Sequence, residues 1–246
     1  MLKTTEIGTG QVHYDADLGR ARLAVAPSQA YADAQLDNYQ GLQRLRLPDR
    51  APTGFLLRAR ASHAAPPGTL GFGYWNDPFT LLSGDVLAAP SAAWFLYASP
   101  PADMALAENV PGHGWKAATL NAGRWPSWLI GPAAAGAIAL TRVPGLGAPV
   151  MRLARRYARA HEQLLTDVAL DVWHTYRLAW RTYEVVFWVD GVERLRTPAP
   201  PAGPLGFVLW IDNQYAIASR DGRFGFGVLP VETRQWLEIE DLAFEP

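Results

Sequence analysis

The chain has 246 residues, 49% apolar and 18% charged, with ten tryptophans; this composition supports a sizeable folded core and excludes a disordered chain. Its 22 basic and 23 acidic residues leave a formal charge of −1, so no overall field attracts nucleic acid or an anionic membrane. Cysteine is absent, which excludes disulfides, thiolate metal sites and cysteine nucleophiles.

The first ten residues, M-L-K-T-T-E-I-G-T-G, carry no apolar h-region after their lysine, so the expectation is a cytoplasmic chain or one whose leader was removed. Ala21 to Val25 and Phe55 to Ala61 alternate between apolar and polar and read as the first strands of a sandwich. From Gly68 the text G-T-L-G-F-G-Y-W-N-D-P-F is dense in glycine, which permits close backbone approach, and in aromatics, which supply packing area. Ala92 to Ser99 is an apolar strand that must stop at Pro100-Pro101, and Trp115 to Asn121 is one more strand.

Between Pro126 and Asp167 alanine, leucine and arginine replace β-branched residues, which predicts a helical insertion over 127–166 within a single domain spanning 1–246. Its first apolar part, Trp128 to Leu140, falls short of the ~20 residues needed to cross a bilayer. Met151, Leu153, Tyr157, Ala158, Leu164 and Leu165 share one broad face of the second part, with Arg152, Arg155, Arg156 and Arg159 on the polar side. The plain reading is a helix packed on the sandwich with a solvated arginine face. The sharper one is a lid over a cleft, or an interfacial helix that makes peripheral contact with lipid headgroups.

From Trp173 to Gly191 two strands alternate: Arg177, Ala179 and Arg181 against Tyr176, Leu178 and Trp180, then Val186, Trp188 and Asp190 against Val185, Phe187 and Val189. Asp190-Gly191 supplies a turn that tolerates positive φ. Leu205 to Ile211 is a further apolar strand ending in D-N-Q. Trp236 to Phe244 closes the chain with Leu237, Ile239, Leu242 and Phe244 toward the core and a bulge at Glu240-Asp241.

The run H-T-Y-x-x-x-W followed by x-F-x-V-D-G-V resembles the back-sheet hairpin of the concanavalin A-like jelly rolls, especially glycoside hydrolase family 16. The resemblance covers roughly Phe55 to Phe244 apart from the insertion. It implies an all-β, two-sheet antiparallel jelly-roll sandwich with its site on the concave sheet.

The resemblance also implies a catalytic strand of pattern E-x-D-x-x-E or E-x-D-x-E, because residues two apart on a strand project from one face toward one glycosidic bond. Here that strand reads A-A-W-F-L-Y-A-S-P-P-A-D-M, without a carboxylate before Asp103. The family's activity is therefore not carried over. Among the candidate acids Asp77, Asp212, Glu238 and Glu240, only Glu238 and Glu240 have the i, i+2 spacing on a strand, and that strand belongs to the opposite, convex sheet, where they read as an exposed polar face. Asp190 reads as a turn residue capping its own backbone, and His174 as structural.

Five histidines, His13, His63, His113, His161 and His174, lack metal-ligand spacing, and neither a G-x-G-x-x-G phosphate loop nor a G-x-S-x-G elbow is present. No cofactor is expected; calcium is the one metal that loop acids such as Asp77, Asp212 or Asp241 would suit. What remains is a binding surface. Trp75, Trp94, Tyr97, Trp115 and Trp210 lie on strands expected in the concave sheet, with Asn76, Asp77, Lys116, Asn121, Asp212, Asn213 and Gln214 beside them. A pyranose C–H face stacks on indole while its hydroxyls take hydrogen bonds from amides and carboxylates. The expected function is a carbohydrate-binding or degenerate glycosidase-like protein, or a glycosidase with relocated acids. The alternative is a binding protein for an apolar small molecule or lipid, with the insertion as its lid.

Overall fold

The computed structural model describes residues 1–77, 88–105, 107, 110–122, 140–141, 143 and 145–246. Among these, sixteen strands form two seven-stranded antiparallel sheets and one two-stranded ribbon. Numbered in chain order, the front sheet runs β1 (Lys3–Ile7), β4 (Asp33–Asp37), β13 (Gly206–Asp212), β6 (Thr69–Trp75), β7 (Ser91–Ala98), β8 (Gly114–Asn121) and β9 (His161–Leu164). The back sheet runs β12 (Val192–Thr197), β11 (Val185–Val189), β10 (His174–Trp180), β5 (Thr53–Ala61), β16 (Gln235–Glu245), β3 (Arg20–Val25) and β2 (Gly10–Asp15). The ribbon pairs β14 (Gln214–Ala218) with β15 (Phe224–Val228). This is an all-β, two-sheet antiparallel jelly-roll sandwich.

The core lies between the two sheets because alternate residues of each strand point inward. Leu70, Phe72 and Tyr74 of β6, Phe95 of β7 and Phe207 of β13 meet Phe55 of β5, Tyr176, Leu178 and Trp180 of β10 and Phe187 of β11, all buried. Rings interlock edge to face across the gap, Phe72 with Tyr176 at 5.1 Å and Phe95 with Phe187 at 5.2 Å. The Tyr74 hydroxyl donates to the Gly54 carbonyl at 3.0 Å, pinning one sheet to the other.

The diagnostic hairpin forms as β10 and β11 in register from Tyr176↔Val189 to Trp180↔Val185. Asp190 (φ 51°) and Gly191 (φ 78°) make the following turn to β12, with both central residues at positive φ as a type I′ connection requires. Asp190 does not cap its own backbone. Its carboxylate accepts the Thr175 N–H at 2.8 Å and pairs with His174 Nδ1 at 2.6 Å, tying the turn to the start of β10. On β16 the register shifts between Glu240 and Ala243, with Asp241 at φ 56°, so the expected bulge is present; Phe244 beyond it is 48% exposed.

The insertion differs from expectation over its second half. Helix α1 is Gly147–Ala158 and stops where Arg159 turns left-handed (φ 45°, ψ 46°). His161–Leu164 is a strand, because pairing with the open edge of β8 satisfies backbone groups that a longer helix would leave exposed there. Of the expected apolar face Met151 is buried, Leu153 and Tyr157 are exposed, and Leu165 enters the sandwich core beyond the helix. Of the lid assigned to the inserted helices from Trp128 to Leu165, residues 128–139, 142 and 144 lie outside the described residues. No helix among the described residues is long and apolar enough to cross a membrane.

Candidate functional site

The outer face of the front sheet is defined by register. Antiparallel partners share a face, so Val208, Trp210 and Asp212 of β13 lie beside Asp37, Gln35 and Asp33 of β4 on one side, and beside Gly73, Gly71 and Thr69 of β6 on the other. Across β6 the same face continues through Trp94, Leu96 and Ala98 of β7 to Lys116 and Ala118 of β8 and Glu162 and Leu164 of β9.

Three tryptophans cross the middle of this face. Trp94 stands 5.9 Å from Trp75 and 5.9 Å from Trp210, each pair tilted. All three are partly exposed. The row is seated on glycines. A Cβ at Gly71 would come within 2.7 Å of the Trp210 ring, and one at Gly73 (φ 155°) within 2.6 Å of Trp94 Cβ.

The two outer indoles are anchored through polar chains that end on aspartates. Trp210 Nε1 donates to Thr69 Oγ1 at 2.9 Å, and that hydroxyl donates to Asp212 Oδ1 at 2.9 Å. Trp75 Nε1 donates to the Tyr39 hydroxyl, which also accepts from Gln35 Nε2 at 3.3 Å; the same amide reaches Asp37 Oδ2 at 2.9 Å. The middle indole differs: Trp94 Nε1 is buried and has no hydrogen-bond partner among the described residues.

Asp33 and Asp212 are direct cross-strand partners. Directly opposed side chains have Cβ atoms about 4.5–5.5 Å apart. Both are nearly enclosed, at 6% and 8% exposure. Asp212 accepts hydrogen bonds from Thr69 N, Thr69 Oγ1 and Gln214 N, whereas the Asp33 carboxyl receives none among the described residues. Burial, then the charges of Asp212 and Asp37, push Asp33 up to about 8. Burial pushes Asp212 up to about 6 against the lowering effect of its donors. Both carboxyls therefore hold protons to higher pH than ordinary aspartates do. Tyr31 stands close enough to both acids for their charges, after burial, to raise its hydroxyl well above the usual range, and Gln214 hydrogen-bonds that hydroxyl.

The expected site residues divide. Trp75, Trp94, Trp210, Asp212 and the exposed Gln214 belong to this face or its rim. Tyr97 and Trp115 point the other way, into the core, where Trp115 packs on Phe72 and Phe95; strand alternation puts them one residue out of phase with Trp94. Asn76, Asn121 and Asn213 are buried and spent on backbone: Asn76 braces Ala89 and Ser91, Asn121 braces Pro200 and Ala202, and Asn213 holds Ala30, Ala32 and Leu229. Asp77, at φ 41°, follows the Trp75 end of β6, while Asp212 pairs with Thr69 at its other end, roughly 20 Å away at strand rise. The W-N-D-P and W-I-D-N-Q segments thus share a sheet but not one polar cluster.

Asp241 lies on the back sheet, so the calcium candidates Asp77, Asp212 and Asp241 do not converge. No group of three metal-ligating side chains forms among the described residues. Glu238 and Glu240 face outward on the back sheet, bridged by Arg22 and Arg60 and by Arg20 and Arg58. Lys116 lies on the front face but is neutralised by Glu162 at 3.1 Å, both side chains almost wholly buried. Sequence reasoning missed Asp33, Gln35 and Asp37. The run D-A-Q-L-D carries them at alternate positions against the apolar Ala34 and Leu36, which is the signal of a strand with one polar face.

No protein-family model matches the chain, and no curated protein does. Solved structures similar to it include a native glycosidic hydrolase at 14% identity and TM-score 0.45, covering 99% of this chain and 87% of that one. The Bacillus licheniformis β-glucanase aligns at 12% identity and TM-score 0.43, covering 97% and 92%. The alginate lyase AlyC3 aligns at 10% identity and TM-score 0.44, covering 92% and 74%. A sialidase aligns over 99% of this chain at 8% identity and TM-score 0.43, but the chain spans only 17% of that protein.

Proposed function

We propose that the chain binds a saccharide on the outer face of the front sheet, with Trp75, Trp94 and Trp210 as the stacking platform and Gln35, Asp212 and Gln214 as hydroxyl partners. The observation that carries this reading is the row of three tilted, partly exposed indoles flanked by carboxylates and amides. Indole faces take up pyranose C–H surfaces while fixed acceptors orient the hydroxyls. Titration of intrinsic tryptophan fluorescence with neutral β-glucan oligosaccharides tests it. Wild type is expected to saturate, and Trp94→Ala to weaken binding about tenfold or more without loss of fold. No spectral or thermal response to any saccharide, with a response to fatty acids, would replace this reading with the apolar-ligand one.

A second reading follows from the Asp33–Asp212 pair. Two facing carboxyls that hold protons above the usual aspartate range are the groups glycoside hydrolysis needs as acid and nucleophile, and the Cβ spacing of cross-strand partners is compatible with the short separation used by retaining enzymes. Release of reducing ends that disappears in Asp212→Asn would establish it, and binding without release would leave the chain a lectin-like module.

A further inference from the structure

A group of acids stands beside Trp210 on the outer face of the front sheet. Asp33 and Asp37 of β4 and Asp212 of β13 project from one face. None of the three makes an ion pair among the described residues, and the charges acting on Asp33 are those of Asp212 and Asp37. Lys3 is the register partner of Asp37 on β1, yet its ammonium bonds the Gln40 carbonyl at 3.0 Å on the exposed edge. Lys116 is already paired with Glu162. The remaining neighbours, Thr69, Tyr31, Gln35 and Gln214, are uncharged.

Asp33 is a residue 6% exposed whose carboxyl receives no hydrogen bond among the described residues, so a partner at its remaining opening would stabilise it. Two opposed carboxyl groups offer acceptors on both sides of one point, and an ammonium offers three donors. An uncharged hydroxyl would leave the like-charge conflict in place, and a uronate would add to it.

Resting on the saccharide reading above, we infer that the Asp33–Asp212 pair receives the cationic amino group of the ligand, so that the site selects unacetylated hexosamine units over neutral sugars and rejects uronates. Trp210 lies two residues from Asp212 on the same face and is tied to it through Thr69, which sets the sugar ring beside its amine anchor. An ammonium between the two carboxyls favours their ionised forms, so a proton held by the pair passes to solvent on binding and charge-assisted contacts form to both acids.

Isothermal titration of the whole chain with glucosamine oligomers, their N-acetylated counterparts, cello-oligosaccharides and oligo-uronates, in two buffers of different ionisation enthalpy, tests this. The expected result is at least about tenfold tighter binding of the amine than of the neutral oligomer, with buffer-dependent heat reporting proton release. In Asp33→Asn and, separately, Asp212→Asn the amine-to-neutral affinity ratio should fall below about threefold. Equal affinity of amine and neutral sugars in wild type, tight uronate binding, or an amine preference that survives both substitutions would overturn the inference and leave the saccharide reading standing. Failure of every sugar to bind would overturn both.

Discussion

Asp33 and Asp212 come from opposite ends of the chain and meet as direct antiparallel partners on the outer face of one sheet, each almost closed off from water. The folded state binds their protons more tightly than the unfolded chain, whose aspartates titrate near 4. A raised carboxyl pKa makes stability fall as pH rises from about 4 toward 8, because the unfolded chain then gives up protons that the folded one still holds.

Asp33→Asn removes the greater part of that slope. The variant should match wild type near pH 4 and exceed it at pH 8 by about 1–3 kcal/mol, with each kcal/mol raising Tm by about 2–4 °C. Melting curves of both proteins across this range check the prediction, and a variant less stable than wild type at pH 8 contradicts it.

The Lys116–Glu162 pair is expected to behave differently. Both side chains are buried, Lys116 Nζ also donates to the Pro111 carbonyl, and Glu162 accepts the Ala107 N–H at 2.8 Å, so the pair ties β8 and β9 to the loop before β8. Removing one partner strands a charge, and Glu162→Gln should cost about 3–5 kcal/mol in urea unfolding. The double replacement Lys116→Met with Glu162→Leu should recover most of the loss. Equal instability of single and double variants would show that the loop contacts, and not the charges, dominate.

Gly73→Ala tests the seating of the tryptophan row. Its Cβ would lie 2.4 Å from the Ala93 carbonyl oxygen and 2.5 Å from Trp94 Cα, backbone that cannot retreat without parting β6 from β7, and its φ of 155° is already unfavourable for alanine. A loss of about 2 kcal/mol or more, with a changed Trp94 environment in near-UV circular dichroism, is expected.

On the opposite sheet, Glu238→Gln and Glu240→Gln should each change stability by about 1 kcal/mol or less and leave saccharide binding alone, since their ion pairs lie at a partly exposed surface where solvent screens them. Arg60→Ala should cost more than either, because its guanidinium also lies over Trp173 at 4.9 Å and Trp236 at 5.3 Å. Urea midpoints at low and high salt separate the two contributions.

Local pattern made much of the fold legible. Alternation in β10, β11 and β13, the Asp190-Gly191 turn and the bulge of β16 were readable because strand period and turn chemistry act over a few residues. The second half of the insertion was not readable, since the helix propensity of Ala160 to Leu165 was outweighed by the unpaired edge of β8, a partner more than forty residues away in sequence. Of the aromatics, Trp94 and Tyr97 sit three apart on one strand and therefore on opposite faces, a parity the sequence carried once the strand's inner face was known.

By itself the sequence determined an all-β chain and the inward and outward positions along its hairpin strands, because composition and alternation within a strand are local properties. Only the tertiary structure decided that β4 would lie against β13. That pairing set Asp33 opposite Asp212, and burial at that contact raised the proton affinity of both carboxyls, which no spacing along the chain records.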